Sequence, residues 1–338
     1  MIPSNPSVAI VGATGAVGSE LIACLEQRHF PLSRLRLFAS TRSVGRALLF
    51  QGEGVKVEEL TEDSFPGVDL ALFSAGGTTS RRFVPIAVRQ GAVVVDNSSA
   101  FRMEPGVPLV VPEVNGEEAS RHLGIIANPN CVAIIAVMAL WPLHRHARIR
   151  RVIAATYQAA SGAGAAAMQE LRASTAAYLA DRPYTNTVLA HPYAFNLFSH
   201  DTPVDPLTGA NDEETKVMRE LRKIMQEPHL RVGVTCVRVP VLRAHSIALT
   251  VEFEQPISPA DARSVLAAAP GVRIVDDVLH NHFPMPREAS GQGDVLIGRI
   301  RQDPSDPSGR SLALLVAGDQ LLKGAALNAV QIAERLVA

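Results

Sequence analysis

The stretch VAIVGATGAVG, residues 8–18, constrains the fold more than any other part of the chain. An apolar run ends at Gly12. Gly12, Gly15 and Gly18 then form G-x-x-G-x-x-G ahead of SELIACLEQ, whose apolar spacing is helical. Strand, glycine turn and helix in this order let the backbone approach a pyrophosphate while the helix N-terminus meets its charge. The triplet departs from G-x-G-x-x-G, since Ala13 and Thr14 precede the second glycine, and its weight comes from following the first strand. Further strands at 35–39 (LRLFA), 68–74 (VDLALFS), 92–96 (AVVVD) and 109–111 alternate with helices, one of them near 82–90. That alternation argues a parallel sheet covered on both faces.

The texture changes after residue 131. Residues 151–158 (RVIAATYQ) are β-rich, and SGAGAAAMQELRASTAAYLAD reads as a helix after a glycine turn. Residues 184–209, rich in Pro, His and Asn, read as a long loop, and 213–225 as a charged amphipathic helix. Segments 231–239, 246–254 and 295–300 alternate like half-buried antiparallel strands. A helix with Pro in its first turn (259–268), a last strand (312–317) and an amphipathic closing helix (323–337) complete the chain. The fold class is therefore α/β: a Rossmann-like dinucleotide-binding domain, residues 1–127 plus 319–338, and an α+β domain with a mainly antiparallel sheet, residues 128–318.

A length of 338 residues with 47% hydrophobic content suits two domains with sizeable cores. A formal net charge of -1 gives no electrostatic reason to expect nucleic acid or an anionic membrane as partner. Cys24, Cys131 and Cys236 stand far apart with no CxxC pair, which argues against a zinc site or disulfide framework and fits a reducing cytoplasm. No metal is expected. The first residues lack a signal-peptide pattern, and no run is long and apolar enough to span a membrane.

In an NAD site, an acid after the second strand would hold the ribose 2′-hydroxyl. Residues 39–45 (ASTRSVG) offer no acid but supply Ser40, Thr41, Arg42 and Ser43, which suit a 2′-phosphate and hence NADP. In IIANPNCVAIIAVMAL, the turn-forming Asn128-Pro129-Asn130 precedes a long apolar run, so Cys131 falls where a helix begins. Free N–H groups and the positive dipole end there favour a thiolate. Taken alone, a lone cysteine is more often a small buried hydrophobe. Gln158 at a strand end, Arg238 and His245 in TCVRVPVLRAHS, and Arg102 in DNSSAFRM could serve a nucleophile, though each also fits an ordinary structural or solvated role.

Together, GATGAVG, FAS-x-RS-x-G, VVVDNSSAFRM, VVPEVN, GIIANPNC, TYQAASGAG, CVRVPVLRAHS, IGRIR and KGAALNAVQIAE resemble the aspartate-β-semialdehyde dehydrogenases in kind and order, over nearly the whole chain. The resemblance implies an NADP(H)-dependent, phosphorylating aldehyde dehydrogenase. It would convert L-aspartyl-4-phosphate to L-aspartate 4-semialdehyde through a cysteine thioester. That is a cytoplasmic step in biosynthesis of diaminopimelate, lysine, threonine, methionine and isoleucine. Cys131 would be the nucleophile, His245 the general acid/base titrating near neutral pH, Gln158 an orienting group, and Asn130 with the Cys131 N–H an oxyanion site. Arg238 would hold the substrate carboxylate and Glu213 its ammonium, while Arg102 and Lys216 would take phosphate. Gly12, Thr14, Gly15, Ala16 and Val17 would cradle the pyrophosphate, and Ser40, Arg42 and Ser43 the 2′-phosphate. Ser161, counted with the substrate site, Gly162 and Asn328 would lie near the nicotinamide. The second domain would be catalytic and dimerising, making a homodimer or homotetramer. The family usually follows its cysteine with Ser or Thr and then Thr, whereas Val132 and Ala133 stand here. Two alternatives stay open: an N-acetyl-γ-glutamyl-phosphate reductase, and a non-catalytic NADP-binding protein.

Overall fold

The computed structural model describes residues 2–337. Two compact units emerge, 1–130 with 325–338 and 131–324, so the change of unit falls at Cys131.

The first unit begins β1 (Ser7–Val11), α1 (Ala16–Gln27), β2 (Arg34–Ala39). A hairpin of β3 (Ala47–Phe50) and β4 (Glu53–Glu59) follows, then β5 (Leu70–Phe73), α2 (Gly77–Arg89) and β6 (Val93–Asp96). The short α3 (Pro112–Asn115) and β7 (Ile125–Ala127) complete the N-terminal part. The sheet runs β3-β4-β2-β1-β5-β6-β7, parallel throughout except for the β3/β4 hairpin. β1 and β5 are wholly buried, which explains their unbroken apolar sequence. The strand order reverses beside β1. Ligands of such sheets sit outside the carboxyl ends at that point, where Gly12, Ser40 and Ser74 lie.

In the second unit α4 (Cys131–His146) leads into β8 (Ile149–Gln158), α5 (Ala165–Leu179), β9 (Phe198–Ser199) and α6 (Asp212–Ile224). Then come β10 (Arg231–Arg238), β11 (His245–Phe253), α7 (Pro259–Ala267), β12 (Val272–Ile274), α8 (Pro286–Ala289), β13 (Val295–Gln302) and β14 (Ser311–Gly318). The order is β12-β13-β14-β11-β8-β10-β9. This sheet is mixed rather than simply antiparallel: β10 pairs parallel with β8, and β12 with β13. The long α5-to-α6 crossover separating β8 from β10 is what permits parallel pairing. Helices α4, α6 and α7 pack on this sheet. Ile153 and Tyr157 on β8 remain 44% and 41% exposed.

Four features depart from the sequence reading. The β3/β4 hairpin and β7 have no clean alternation, and Leu109 makes only an isolated bridge to Ala127. The long loop contains β9, which hydrogen-bonds to the end of β10. The closing helix is split into a π-helical turn (Leu322–Ala326) and α9 (Leu327–Glu334). The helix at 82–90 begins earlier, at Gly77, and carries Pro85 within it.

That loop is pinned by one buried side chain. The Glu170 carboxylate accepts hydrogen bonds from the N–H groups of Thr187, Val188 and Leu189 and from the Thr187 hydroxyl. Burial opposes its charge, but these donors outweigh burial and lower its pKa. Its contribution is therefore full above the unfolded pKa, near 4.5, and fades as pH falls through the folded value. Glu170→Ala is expected to cost about 1–3 kcal/mol of unfolding free energy at neutral pH, measured by urea denaturation. An unchanged midpoint would show that the loop is held elsewhere.

Candidate active site

Cys131 is the first residue of α4, and the helix beyond it is almost entirely buried from Val132 to Leu140. Val132 and Ala133 are fully buried. Packing of the next turns fixes the helix start, and with it the thiol, at the positive end of the dipole. Gly324 of the π-helical turn leaves room for it: a Cβ there would come 3.0 Å from the Cys131 Cβ and 3.2 Å from that of Gln320. By contrast, Cys236 is buried and its thiol is pushed up to about 12 by desolvation, which marks it as structural. No disulfide joins the cysteines.

Register brings the remaining groups to one edge of the second sheet. Gln158 and Arg238 are paired partners at the carboxyl ends of parallel β8 and β10. His245 opens antiparallel β11 opposite Gly318, the last residue of β14. The Gln158 amide accepts from the Thr156 hydroxyl at 3.1 Å and donates to Glu213 at 3.2 Å. Glu213 lies in the first turn of α6, behind an Asn211–Glu214 capping box, with Lys216 Nζ 4.0 Å from its carboxylate. Arg238 is 5% exposed, and its Nε donates to Asp201 at 3.1 Å. Burial opposes the charge on Asp201, and Arg238 outweighs it, lowering the pKa.

His245 is completely buried. Its Nδ1 accepts the Ala159 N–H at 2.9 Å. Ala244, just before it, has φ 72, an unusual left-handed conformation for a residue with a side chain, and its N–H is held by Gln320 Oε1 at 2.9 Å. The Gln320 amide also donates to the Ser161 hydroxyl. Asp319 in turn binds Arg243 at 2.6 Å and accepts from Leu321 N–H. Desolvation first, then Arg238 and His200, lower the His245 pKa to about 3. Burial beside a guanidinium works against the near-neutral titration anticipated from sequence.

Two buried side-chain atoms among the described residues have no hydrogen-bond partner: Arg238 Nη1 and His245 Nε2. Both face Gly162, where a Cβ would come 3.3 Å from the former and 3.1 Å from the latter. Leaving a buried donor unsatisfied costs about 1–3 kcal/mol. Two such donors side by side fit a site that waits for acceptors, one a carboxylate and one a reacting oxygen.

The first unit holds a separate groove of about 440 Å³ lined by Gly12, Thr14, Gly15, Ser40, Thr41 and Glu59, among others. Gly12 has φ +87, and a Cβ there would meet Ser74 O at 2.3 Å; one at Gly18 would meet Gly12 O at 2.2 Å. Ala16 and Val17 open α1, whose N-terminus has neither a side-chain cap nor an acid in its first turn. Thr14 and Ser43 hydroxyls lie 3.2 Å apart, and Arg42 is exposed beside them. These features fit a dinucleotide phosphate at the helix N-terminus.

Arg102 is buried in this unit, donating to Asn128 O and Asn97 O. Asn130 is buried at its end. Asn328 is fully buried and donates to Val110 O and Asn128 Oδ1, bracing the Asn128 turn. Sequence reasoning missed His200, Asp201, Gln320 and Glu59. The first two lie in SHDTPVD, a loop with no periodicity. Gln320 lies in GDQLLKG, ahead of the helix pattern. Glu59 ends a strand that was not predicted, and it accepts the Thr41 hydroxyl at 2.6 Å. No group of three or more potential metal ligands occurs among the described residues, and no helix there is long and apolar enough to cross a membrane.

Residues 7–122 match the model of the semialdehyde dehydrogenase NAD-binding domain, and residues 140–323 that of the semialdehyde dehydrogenase dimerisation domain. The chain is 52% identical to an aspartate-semialdehyde dehydrogenase of Synechocystis, over 99% of this chain and 98% of that one. It is 48% identical to one from Aquifex aeolicus, over 98% and 97%. A crystal structure of aspartate semialdehyde dehydrogenase II from Vibrio cholerae superposes with a TM-score of 0.94 at 41% identity, covering 98% of both chains. A second structure of that enzyme, complexed with ASA, gives 0.94 at 40% identity. With a family model over most of each unit and a 52% identical relative over 99% of its length, the chain belongs to the aspartate-semialdehyde dehydrogenase family.

Proposed function

We propose that the chain catalyses the NADP-dependent reductive dephosphorylation of L-aspartyl-4-phosphate to L-aspartate 4-semialdehyde, on the route to lysine, threonine, methionine and isoleucine. The observation that carries this is the pair of unpartnered donors, Arg238 Nη1 and His245 Nε2, facing Gly162 on the sheet edge that also bears Gln158, whose amide reaches Glu213 of α6. Arg238 takes the α-carboxylate and Glu213 the ammonium. Lys216 and Arg102 are assigned to the phosphate.

Cys131 Sγ, as thiolate, bonds to the acyl carbon while the carbon–oxygen bond to phosphate breaks, and phosphate leaves with the electron pair. Gln158, held by Thr156, orients the acyl group, and Asn130 with the Cys131 N–H serves the oxyanion. NADPH, when bound along Gly12, Thr14, Gly15, Ala16 and Val17, supplies the hydride. His245 faces the carbonyl oxygen as negative charge develops there. Breaking of the carbon–sulfur bond releases the semialdehyde and restores the thiolate.

The preference for NADP rests on Ser40, Arg42 and Ser43. Arg42→Ala is expected to weaken NADP about tenfold or more and NAD little, by fluorescence titration of each. Equal losses would remove the 2′-phosphate assignment. Exposed Ile153 and Tyr157 on the open sheet face suit a homodimer.

An assay with aspartate semialdehyde, phosphate and NADP tests the substrate. Silence there, with turnover of N-acetylglutamate semialdehyde, would overturn it. Glu213 argues against that second substrate, which carries no ammonium.

A further inference from the structure

We propose that Asp201 is a positioning residue for substrate recognition: it holds the Nε edge of Arg238, leaves Nη1 turned into the site, and so sets the KM for the semialdehyde. This rests on the catalytic reading above and extends it to a residue outside the substrate contacts.

A guanidinium on its long stem turns about several torsions, and a firm grip on a carboxylate needs that freedom removed beforehand. Asp201 removes it from one side. Its Oδ1 accepts the Arg238 Nε–H at 3.1 Å, and both side chains lie largely out of solvent, where one charge without the other is costly. Nη1 is buried without a partner and faces Gly162. The contact that orients the guanidinium therefore leaves Nη1 open.

Asp201 can hold Arg238 still because its own backbone is fixed on both sides. β9 pairs antiparallel with the end of β10, Phe198 opposite Arg238 and Ser199 opposite Val237. The His200 N–H donates to Cys236 O at 2.9 Å and carries the pairing one step further. On the far side, the Thr202 hydroxyl accepts the Glu213 N–H at 3.3 Å, and the Asp212 N–H donates to Pro203 O at 2.9 Å. One short segment is thus tied to the strand that bears Arg238 and to the helix that bears Glu213. Just past Arg238, the Tyr193 hydroxyl donates to Val239 O at 2.6 Å.

The other cations nearby do not compete for the Asp201 carboxylate. His200 Nδ1 is 3.8 Å from it, but burial and then Arg238 hold the pKa of that ring below its ordinary value, so it is neutral at neutral pH. Lys216 stands beside Glu213. Two effects of Asp201 on Arg238 oppose each other. Its oxygen orients the guanidinium, and its charge competes with the substrate's carboxylate for the same cation. The geometry decides for orientation, because the contact is made through Nε and not through Nη1.

Steady-state kinetics with aspartate semialdehyde, phosphate and NADP test this. Asp201→Ala should raise the KM for the semialdehyde about tenfold and leave kcat within about threefold, the pattern of lost binding that ground and transition states share. Asp201→Asn, whose amide oxygen still accepts from Nε, should stay within about threefold of the parent. In an Arg238→Ala background, Asp201→Ala should add less than about twofold, since the two act as one unit. The KM for phosphate and the NADPH affinity by fluorescence titration should not move, whereas general loosening of the fold would shift both. Asp201→Ser, too short to reach Nε, gives the same reading if the alanine variant does not fold. An unchanged or lowered KM in Asp201→Ala, an asparagine variant as poor as alanine, or a full tenfold loss without Arg238 would overturn the positioning role. An active parent with any of these results removes that role alone. A parent inactive on the semialdehyde removes the catalytic reading and the positioning role together.

Discussion

Cys131→Ser is expected to lower turnover of aspartate semialdehyde by about 10⁴-fold while leaving dinucleotide binding intact. The hydroxyl is nearly isosteric, so α4 should keep its start, and the glycine turn lies in the other unit. What changes is chemistry: a helix N-terminus can stabilise a thiolate, but a serine hydroxyl stays protonated at neutral pH. The check is steady-state kinetics beside a fluorescence titration with NADPH. A serine variant within about tenfold of the parent would mean that no covalent intermediate forms on this side chain.

Arg238→Ala is the second large effect. Arg238 is buried and paired with Asp201, and its Nη1 has no partner within the protein. Removing the guanidinium deletes the group proposed for the substrate's carboxylate and strands Asp201 with a partly buried charge. Truncating one member of such a pair costs about 2–5 kcal/mol, so kcat/KM for the semialdehyde should fall about 10²–10³-fold. Arg238→Lys should recover little, since an ammonium cannot make the two-pronged contact. The KM for inorganic phosphate should move far less, because Lys216 and Arg102 are assigned to it. A comparable rise in both KM values would show that Arg238 serves the whole site rather than the carboxylate.

The nucleotide-binding half was legible because its signals are local. One apolar strand, three glycines and a helix stand consecutively, and buried parallel strands read as unbroken apolar runs. The β3/β4 hairpin escaped notice because Glu53 to Glu59 mixes charges with apolar residues on an exposed edge. Of the second unit, the strands were visible but their directions were not. Whether β10 runs with or against β8 depends on a crossover of some length, which sequence alternation does not encode.

The site itself was legible only in part. Cys131, Gln158, Arg238 and His245 stood out through a strand end, a helix start and the resemblance. The groups that tune them did not. Gln320 acts through Ala244 and Ser161, each far from it in sequence, and Asp201 acts through a two-residue strand. The His245 environment was not visible for the same reason. Its burial and the approach of Arg238 exist only once β10 and β11 are folded. Asn328, read from its motif alone, also donates to Val110 O and Asn128 Oδ1, a bracing role that the motif does not display.

The central claim is that Cys131 takes the acyl group of the substrate. Mass spectrometry after mixing the protein with aspartate semialdehyde and NADP, with inorganic phosphate withheld, measures this directly. The account predicts an aspartyl thioester on the peptide that begins α4, absent from Cys131→Ser and discharged when phosphate is added. NADP reduction in the full reaction with that peptide never modified would contradict it.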